Sequence, residues 1–181
     1  MDRRFPRRIL ALAPGTKHLG VALIENGEPV RFGVKTFKGR KNPREFPAVF
    51  GRYVQQLIEQ YQPDVLVFEE VLYSQARLSP LLRRLLVTVN TVAQRAGVAT
   101  RSHSPLDVKR SLCEGRPTRS GLTRSVCLRF PLLAPYFKRE PLMAYWQQMF
   151  DAVALGVHAV SHQGTSAAVT ISRAGDKSTS L

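Results

Sequence analysis

Residues 9–37 read ILALAPGTKHLGVALIENGEPVRFGVKTF and predict an antiparallel β-meander. The apolar run 9–13 ends at Pro14-Gly15-Thr16, a sequence typical of turns, and a second apolar run covers 19–24. Asn26-Gly27 is the signal of a two-residue hairpin, and 30–37 alternates as a half-buried strand does. The chain is therefore expected to open with three consecutive antiparallel strands.

Downstream of the meander, the hydrophobic period alternates between helix and strand. Residues 46–61 place apolar side chains at helical spacing, and 65–68 is an unbroken apolar run typical of a central strand. A second helix is predicted over 80–97 and a short strand over 98–101. Strands that alternate with helices predict parallel pairing through right-handed crossovers.

The remaining chain is predicted to be mostly helical. Ser104 followed by Pro105 is a helix start, and a further helix ends near residue 130. Residues 131–141 contain three prolines and are expected to be irregular, whereas 142–162 forms the last long helix. The fold class is thus α/β, a mixed sheet of three antiparallel strands followed by parallel strands, flanked by helices. We expect one domain over 1–162 and a disordered polar tail over 163–181.

Composition points to a globular protein with a polyanionic partner. The 181 residues include 27 Lys and Arg against 13 Asp and Glu, a net charge of +14. A hydrophobic content of 44% is enough for one core and excludes wholesale disorder. The apolar runs are too short to span a membrane, so no membrane association is expected. Two cysteines make no disulfide framework, which favours a reduced, cytoplasmic setting.

Three acidic residues end or interrupt apolar segments. Glu69 and Glu70 follow the run 65–68, and Asp151 interrupts the helix over 142–162. Buried carboxylates are rare unless they are paired or bind a metal. Because neighbouring strand residues point to opposite faces, only one of the two glutamates can share a sheet face with a site. Pairing with surface arginines explains the glutamates equally well, and a solvent-facing position explains Asp151 taken alone.

The helix that carries Asp151 also carries two of the four histidines. Gln148, Leu155 and His158 are expected on the same side of the helix as Asp151. His158 and His162 are one helical turn apart but have no third ligand nearby in the sequence. The spacing of the histidines fits no zinc pattern, so a zinc site is not expected.

Basic residues concentrate where two predicted helices meet around Gly115. Arginines beside helix N-termini suit phosphate binding, although a solvated basic face is the alternative. With the high net charge we expect a nucleic-acid surface formed by Lys109, Arg110, Arg116, Arg119 and Arg124, with Lys17 in the first turn as a further DNA-binding residue.

The helix predicted over 80–97 has a wider apolar surface than one buried stripe needs. Its apolar residues are Leu81, Leu82, Leu85, Leu86, Val89 and Val92. It is a candidate dimer face, and burial within the monomer explains the pattern equally well.

Four segments in the correct order resemble the RuvC Holliday junction resolvases, members of the RNase H-like nucleases. They are ILALAPGTKHLGVA at 9–22, FEEV at 68–71, SPLDVK at 104–109 and FDAVAL at 150–155. The shorter YqgF-type RNA-processing nucleases share the Pro-Gly-Thr-Lys opening but lack the element at 104–109, so they rank second.

The RuvC resemblance implies an RNase H-like fold and a structure-selective DNA endonuclease that resolves four-way junctions in recombination and repair. It implies two Mg²⁺ ions per site, about 3.5–4 Å apart, with Mn²⁺ as a substitute. It also implies a nucleoid-associated homodimer bound to branched DNA, with a branch-migration helicase as a further partner. Carried over to this chain, Glu69 and Asp151 match acidic metal ligands, and Lys109 and Arg119 match basic residues near the scissile phosphate.

Two positions depart from the family pattern. The first aspartate, which bridges both ions in the family, falls at Ala13, and a methyl group binds no cation. The metal position one turn before the last aspartate falls at Gln148, whose amide oxygen can bind a metal but adds no charge. We therefore expect a chain that binds DNA but is catalytically inactive or nearly so.

Two origins of Ala13 remain open at this point: a deliberate replacement of aspartate and a natural loss of activity. Two other functions also remain open. One is an RNA-processing nuclease of the YqgF type, and the other is a nucleic-acid-binding protein on a decayed nuclease fold. Ala13 and Gln148 favour the decayed fold, whereas the joint survival of Glu69, Asp151 and Lys109 argues against it.

Overall fold

A computed structural model describes residues 8–15, 17–37, 45–69, 80–138 and 142–162. Its strands are β1 (Arg8–Pro14), β2 (His18–Glu25), β3 (Glu28–Thr36), β4 (Val65–Glu69) and β5 (Ala99–His103). Its α-helices are α1 (Phe46–Tyr61), α2 (Pro80–Arg95), α3 (Pro105–Leu112), α4 (Arg119–Arg129) and α5 (Leu142–Ser161), and a 3₁₀ helix covers Pro131–Tyr136.

The five strands form one mixed sheet in the order β3-β2-β1-β4-β5. The pairs β1–β2 and β2–β3 are antiparallel, whereas β1–β4 and β4–β5 are parallel. Asn26 (φ 51°) and Gly27 (φ 87°) both adopt the left-handed conformation, as a tight two-residue hairpin turn requires. The predicted α/β mixed sheet with an opening antiparallel meander is confirmed.

The sheet separates two apolar layers. Ile9, Ala11 and Ala13 of β1 face the layer that contains α5, whereas Leu10 and Leu12 face the layer that contains α1 and α2. The strand period of two explains this division, because alternate side chains of β1 enter opposite layers. Both faces of the central strands are therefore covered, in agreement with their unbroken apolar sequences.

One predicted irregular segment is partly regular. The expectation of irregular structure over 131–141 is wrong for Pro131–Tyr136, which form the 3₁₀ helix. Pro131 lies in its first turn, where a missing N–H costs no hydrogen bond, and Leu133 of the same helix is fully buried. Residues 139–141 and the expected disordered tail 163–181 lie outside the described residues.

Helix α5 lies unusually close to the meander because glycines stand at the contacts. A Cβ atom on Gly20 would lie 1.7 Å from the main-chain oxygen of Gln148, and one on Gly156 would lie 2.6 Å from Cγ1 of Ile24. No side chain fits at Gly20 without displacing the helix backbone. These contacts therefore fix the height of α5, and with it Asp151, above the sheet.

Replacing Gly20 tests this constraint. Gly20→Ala is expected to lower the free energy of unfolding by about 3 kcal/mol, because the new methyl group collides with backbone rather than with a flexible side chain. Gly33→Ala is the matched control, since a Cβ atom there meets nothing within 4 Å. Urea denaturation compares the two variants. Equal midpoints for both would show that the close approach does not constrain α5.

Candidate functional site

The ends of β1 and β4 present Ala13 and Glu69 side by side on the face covered by α5. The parallel pairing of the two strands runs as far as Leu12 opposite Phe68, and Ala13 and Glu69 are the next residues. Strand alternation places Glu69 on the face of Val67, which belongs to the same apolar cluster as Ala13. Glu69 stays within the sheet because its backbone also pairs in register with β5.

Asp151 of α5 is buried, with 7% of its surface exposed, and both of its oxygens have partners. Gln147 Nε2 donates a hydrogen bond of 2.9 Å to Oδ1, and Nη2 of Arg119 lies 3.7 Å from Oδ2. Gln147 Nε2 also lies 3.4 Å from Oγ1 of Thr123, a buried residue of α4. The carboxylate is thus held from its own helix and from α4.

Helix starts position the basic side chains of the site. Thr118 Oγ1 accepts a hydrogen bond from the Gly121 N–H at 3.0 Å, so α4 begins at Arg119. Pro105 occupies the first turn of α3, and Lys109 lies one turn later, half-buried. Helix α4 thus brings Arg119, and helix α3 brings Lys109, towards the two carboxylates of the site.

Glu69 and Asp151 lie close enough to Arg119 and Lys109 for these charges to act on the pKa of both carboxyl groups. Burial, and then the negative charge of Asp151, raise the pKa of Glu69 to about 7, whereas Arg119 and Lys109 act to lower it. Burial also raises the pKa of Asp151, against the hydrogen bond from Gln147 and the charges of Arg119 and Lys109. The structure therefore brings together Glu69, Asp151, Lys109 and Arg119.

Ala13 and Gln148 lie at the same end of the sheet. Ala13 is 1% exposed, and the side chain of Gln148 lies against the turn after β1, where a Cβ atom on Gly15 would be 3.1 Å from its Cδ and Nε2 atoms. The side chain that reaches Asp151 is that of Gln147, not that of Gln148. Sequence reasoning missed Gln147, although its spacing of four residues from Asp151 permits the contact on a helix.

These residues do not fit a two-Mg²⁺ site. Two divalent ions bring four positive charges, and the cluster offers the carboxylates of Glu69 and Asp151 with two cationic side chains beside them. Ala13 supplies only a methyl group. Within the described ranges, no group of three or more His, Cys, Asp or Glu side chains is arranged to hold a metal ion. Mg²⁺ prefers an oxygen-rich and negatively charged site, and this cluster is not one.

The other predicted DNA-binding residues are exposed and are divided between helices and turns. Arg110 forms a long ion pair of 3.8 Å with Asp107, whereas Lys17 and Arg116 lie in turns. Arg124 lines a cavity of about 570 Å³ on the side of α4 that faces α3. Arg119 and Arg124 therefore point to different flanks of α4, and the basic run does not form a single row.

Three of the four histidines pack together next to the end of β5, where His103 pairs with Glu69 of β4. His158 stacks on His162 at 4.1 Å and meets the ring of His103 edge-on at 4.9 Å, and Ser111 Oγ is hydrogen-bonded to Nδ1 of His158 at 2.6 Å. Burial, and then the charges of His162 and His103, lower the pKa of His158 to about 4. Sequence spacing could not reveal this cluster, because it forms only when α5 packs against β5.

Solved structures share this fold. Thermus thermophilus RuvC in complex with a Holliday junction substrate superposes with a TM-score of 0.68 and 19% identity, over 88% of this chain and 97% of that chain. T. thermophilus RuvC gives 0.67 and 20%, over 88% and 98%. The yeast mitochondrial Holliday junction resolvase Ydc2 gives 0.60 and 14%, over 88% and 80%.

These similarities establish the fold: the chain has a RuvC-like α/β fold, as its motifs predict. No protein-family model matches the sequence, and no curated protein sequence matches it. In the part of the chain that the structure describes, no helix has the length and apolar character needed to cross a bilayer.

The raised pKa of Glu69 predicts a stability gain on its neutralisation. The pKa of Glu69 is about 7 in the folded chain and 4.5 for an ordinary glutamate. Between these pH values the folded chain keeps a proton on Glu69 that the unfolded chain has lost. The free energy of unfolding therefore falls as the pH rises from 4.5 through 7. Glu69→Gln is therefore expected to be more stable than the parent at pH 8, by at most about 3 kcal/mol, and the difference should vanish near pH 4.

Chemical denaturation at both pH values measures this difference. Glu114→Gln, at an exposed position, is the matched control and should change stability by less than about 0.5 kcal/mol. A Glu69→Gln variant that is less stable than the parent at pH 8 would show that burial of the charged Glu69 carboxylate does not destabilise the fold.

Proposed function

We propose that this chain binds four-way DNA junctions and that Ala13 leaves it without Mg²⁺-dependent cleavage. The observation that carries the proposal is the cluster of Glu69, Asp151, Lys109 and Arg119 beside Ala13. It lies on a fold shared with a RuvC protein that was solved with a Holliday junction substrate. The cationic side chains of this cluster suit contact with a phosphodiester backbone.

DNA binding is supported by charge. The net charge of +14 and the exposed Arg110, Arg116 and Arg124 provide phosphate contacts without base-specific chemistry. Binding governed by such contacts depends on the shape of the DNA more than on its sequence. It should weaken steeply with salt, because each phosphate contact releases counterions.

Loss of cleavage follows from the missing carboxylate. Phosphodiester hydrolysis in two-metal sites relies on metal ions to activate water and to stabilise the leaving oxygen. Glu69 and Asp151 keep two carboxylates at the site, and the resemblance assigns the third to the position of Ala13 in β1. We propose that an aspartate at position 13 is the smallest change that makes the residues fit Mg²⁺.

A homodimer completes the proposal, because its two sites can contact two of the four strands of a junction symmetrically. In α2, Leu85 and Val89 are fully buried in the chain's own core, whereas Val87 is 53% exposed and Leu82 is half-buried. Among the described residues of α2, we assign this exposed apolar surface to contact with a partner copy. Sedimentation equilibrium is expected to give the mass of two chains, and a single-chain mass at micromolar concentration would contradict the dimer.

Restoring the carboxylate tests the proposed function. Ala13→Asp is expected to cleave a four-way junction in Mg²⁺ or Mn²⁺, whereas the parent chain and Ala13→Asn bind the junction without cutting it. The asparagine variant is the matched control, because it adds the same volume without the charge. Ala13→Asp should cleave the junction at least about 100-fold faster than Ala13→Asn, because losing a group that only supports a metal ligand already costs up to about 100-fold in activity.

The same assay separates the alternatives. Linear duplex and single-stranded RNA of equal length are included as competitors, since a YqgF-type activity would favour RNA through its 2′-hydroxyls. Folded Ala13→Asp that binds the junction but cleaves no substrate would overturn the assignment of the site. A parent chain that prefers RNA to the junction would overturn the assignment of the ligand.

A further inference from the structure

We propose that this chain holds a DNA phosphate directly at its site through Arg119 and Lys109, without a divalent cation, so that Arg119 serves where a metal ion would otherwise neutralise Asp151. This inference rests on the proposed DNA binding and deepens it. It assigns a metal-independent phosphodiester site to residues whose family role is metal-assisted cleavage.

The contacts of Asp151 carry the first step. Gln147 holds Oδ1 at 2.9 Å, and Oδ2 faces Arg119 at 3.7 Å, which is an ion-pair distance but longer than a hydrogen bond. Arg119 therefore neutralises the carboxylate without committing its N–H groups to it. A metal ion at Oδ2 would have to displace or repel this guanidinium.

The exposure of Arg119 carries the second step. Its side chain is 63% exposed, whereas that of Asp151 is 9% exposed. A guanidinium carries five N–H donors in a planar fork that matches phosphate geometry. Arg119 can thus face the buried carboxylate on one side and offer donors to a phosphate on the other.

The charge balance carries the third step. Two carboxylates, Glu69 and Asp151, stand against two cations, Arg119 and Lys109, so the formal charge of the cluster is zero. A two-metal site needs an excess of negative charge, which Ala13 does not provide. A cluster with no net charge, in which Arg119 is exposed and Asp151 is buried, admits a phosphate at Arg119 and gives no excess negative charge to a divalent cation.

The first experiment measures junction affinity with and without metal. The parent chain is titrated with a fluorescent four-way junction in EDTA and in 5 mM Mg²⁺, with ionic strength matched by NaCl. Junction conformation changes with Mg²⁺, so a linear duplex is titrated in parallel. We expect the dissociation constants to agree within about twofold, since the contacts are between cationic side chains and phosphates.

Two variants of the site are expected to change the affinity for the junction in opposite directions. Arg119→Gln should weaken binding about tenfold in EDTA and lower the salt slope by about one. Arg95→Gln, an equal charge change at the end of α2 in the opposite layer, should change affinity by less than about twofold. Asp151→Asn should tighten binding several-fold in EDTA, because it frees Arg119 while its amide oxygen still accepts from Gln147.

A direct metal titration supplies the independent readout. Calorimetry with Mn²⁺ alone should detect no site in the parent chain at submillimolar concentration and a site in Ala13→Asp. Submillimolar Mn²⁺ binding by the parent that is lost in Asp151→Asn would overturn the inference. So would Mg²⁺ tightening junction and duplex binding tenfold or more, or Arg119→Gln binding as well as Arg95→Gln.

Failure of the inference is distinguishable from failure of the proposed function. A parent chain that binds junction and duplex equally, yet depends on Arg119 and not on Mg²⁺, supports the phosphate site and contradicts junction selectivity. A chain that prefers junctions but requires Mg²⁺ supports the selectivity and overturns the phosphate site. A folded chain that binds neither DNA overturns both.

Discussion

The close approach of α5 to the meander is the constraint on which the rest of the structure depends. Gly20 leaves room for the main chain of Gln148, and Gly156 leaves room for Ile24. With the helix at this height, Asp151 reaches the end of the sheet where β4 delivers Glu69. A residue with a side chain at Gly20 would lift α5 and separate the two carboxylates, which are more than eighty positions apart in the chain.

The energetics of the site follow from that placement. Burial removes hydration from the Glu69 carboxylate and Asp151 then repels it, which is why the pKa of Glu69 rises to about 7. The protein offsets this cost with Arg119, Lys109 and the amide of Gln147. Ala13 adds no carboxylate to the cluster, so the two acidic side chains are balanced by two cations of the chain itself.

Local patterns predicted the elements well, because periodicity and turn chemistry act over a few residues. Helix α1 has the bounds predicted for the helix over 46–61. The apolar run 65–68 lies in strand β4, which ends at Glu69. Contacts between distant elements were not predictable. The contact of Gln147 with Thr123 needs α4 to pack against α5, and the contact of His103 with His158 needs α5 to lie on β5.

A crystal structure of this chain bound to a four-way junction, grown with Mn²⁺ and measured at the manganese absorption edge, tests the central claim most directly. Our account predicts a backbone phosphate within hydrogen-bond distance of Arg119 and no anomalous peak between Glu69 and Asp151. One or two manganese peaks coordinated by those carboxylates, with Arg119 turned away from Asp151, would contradict it.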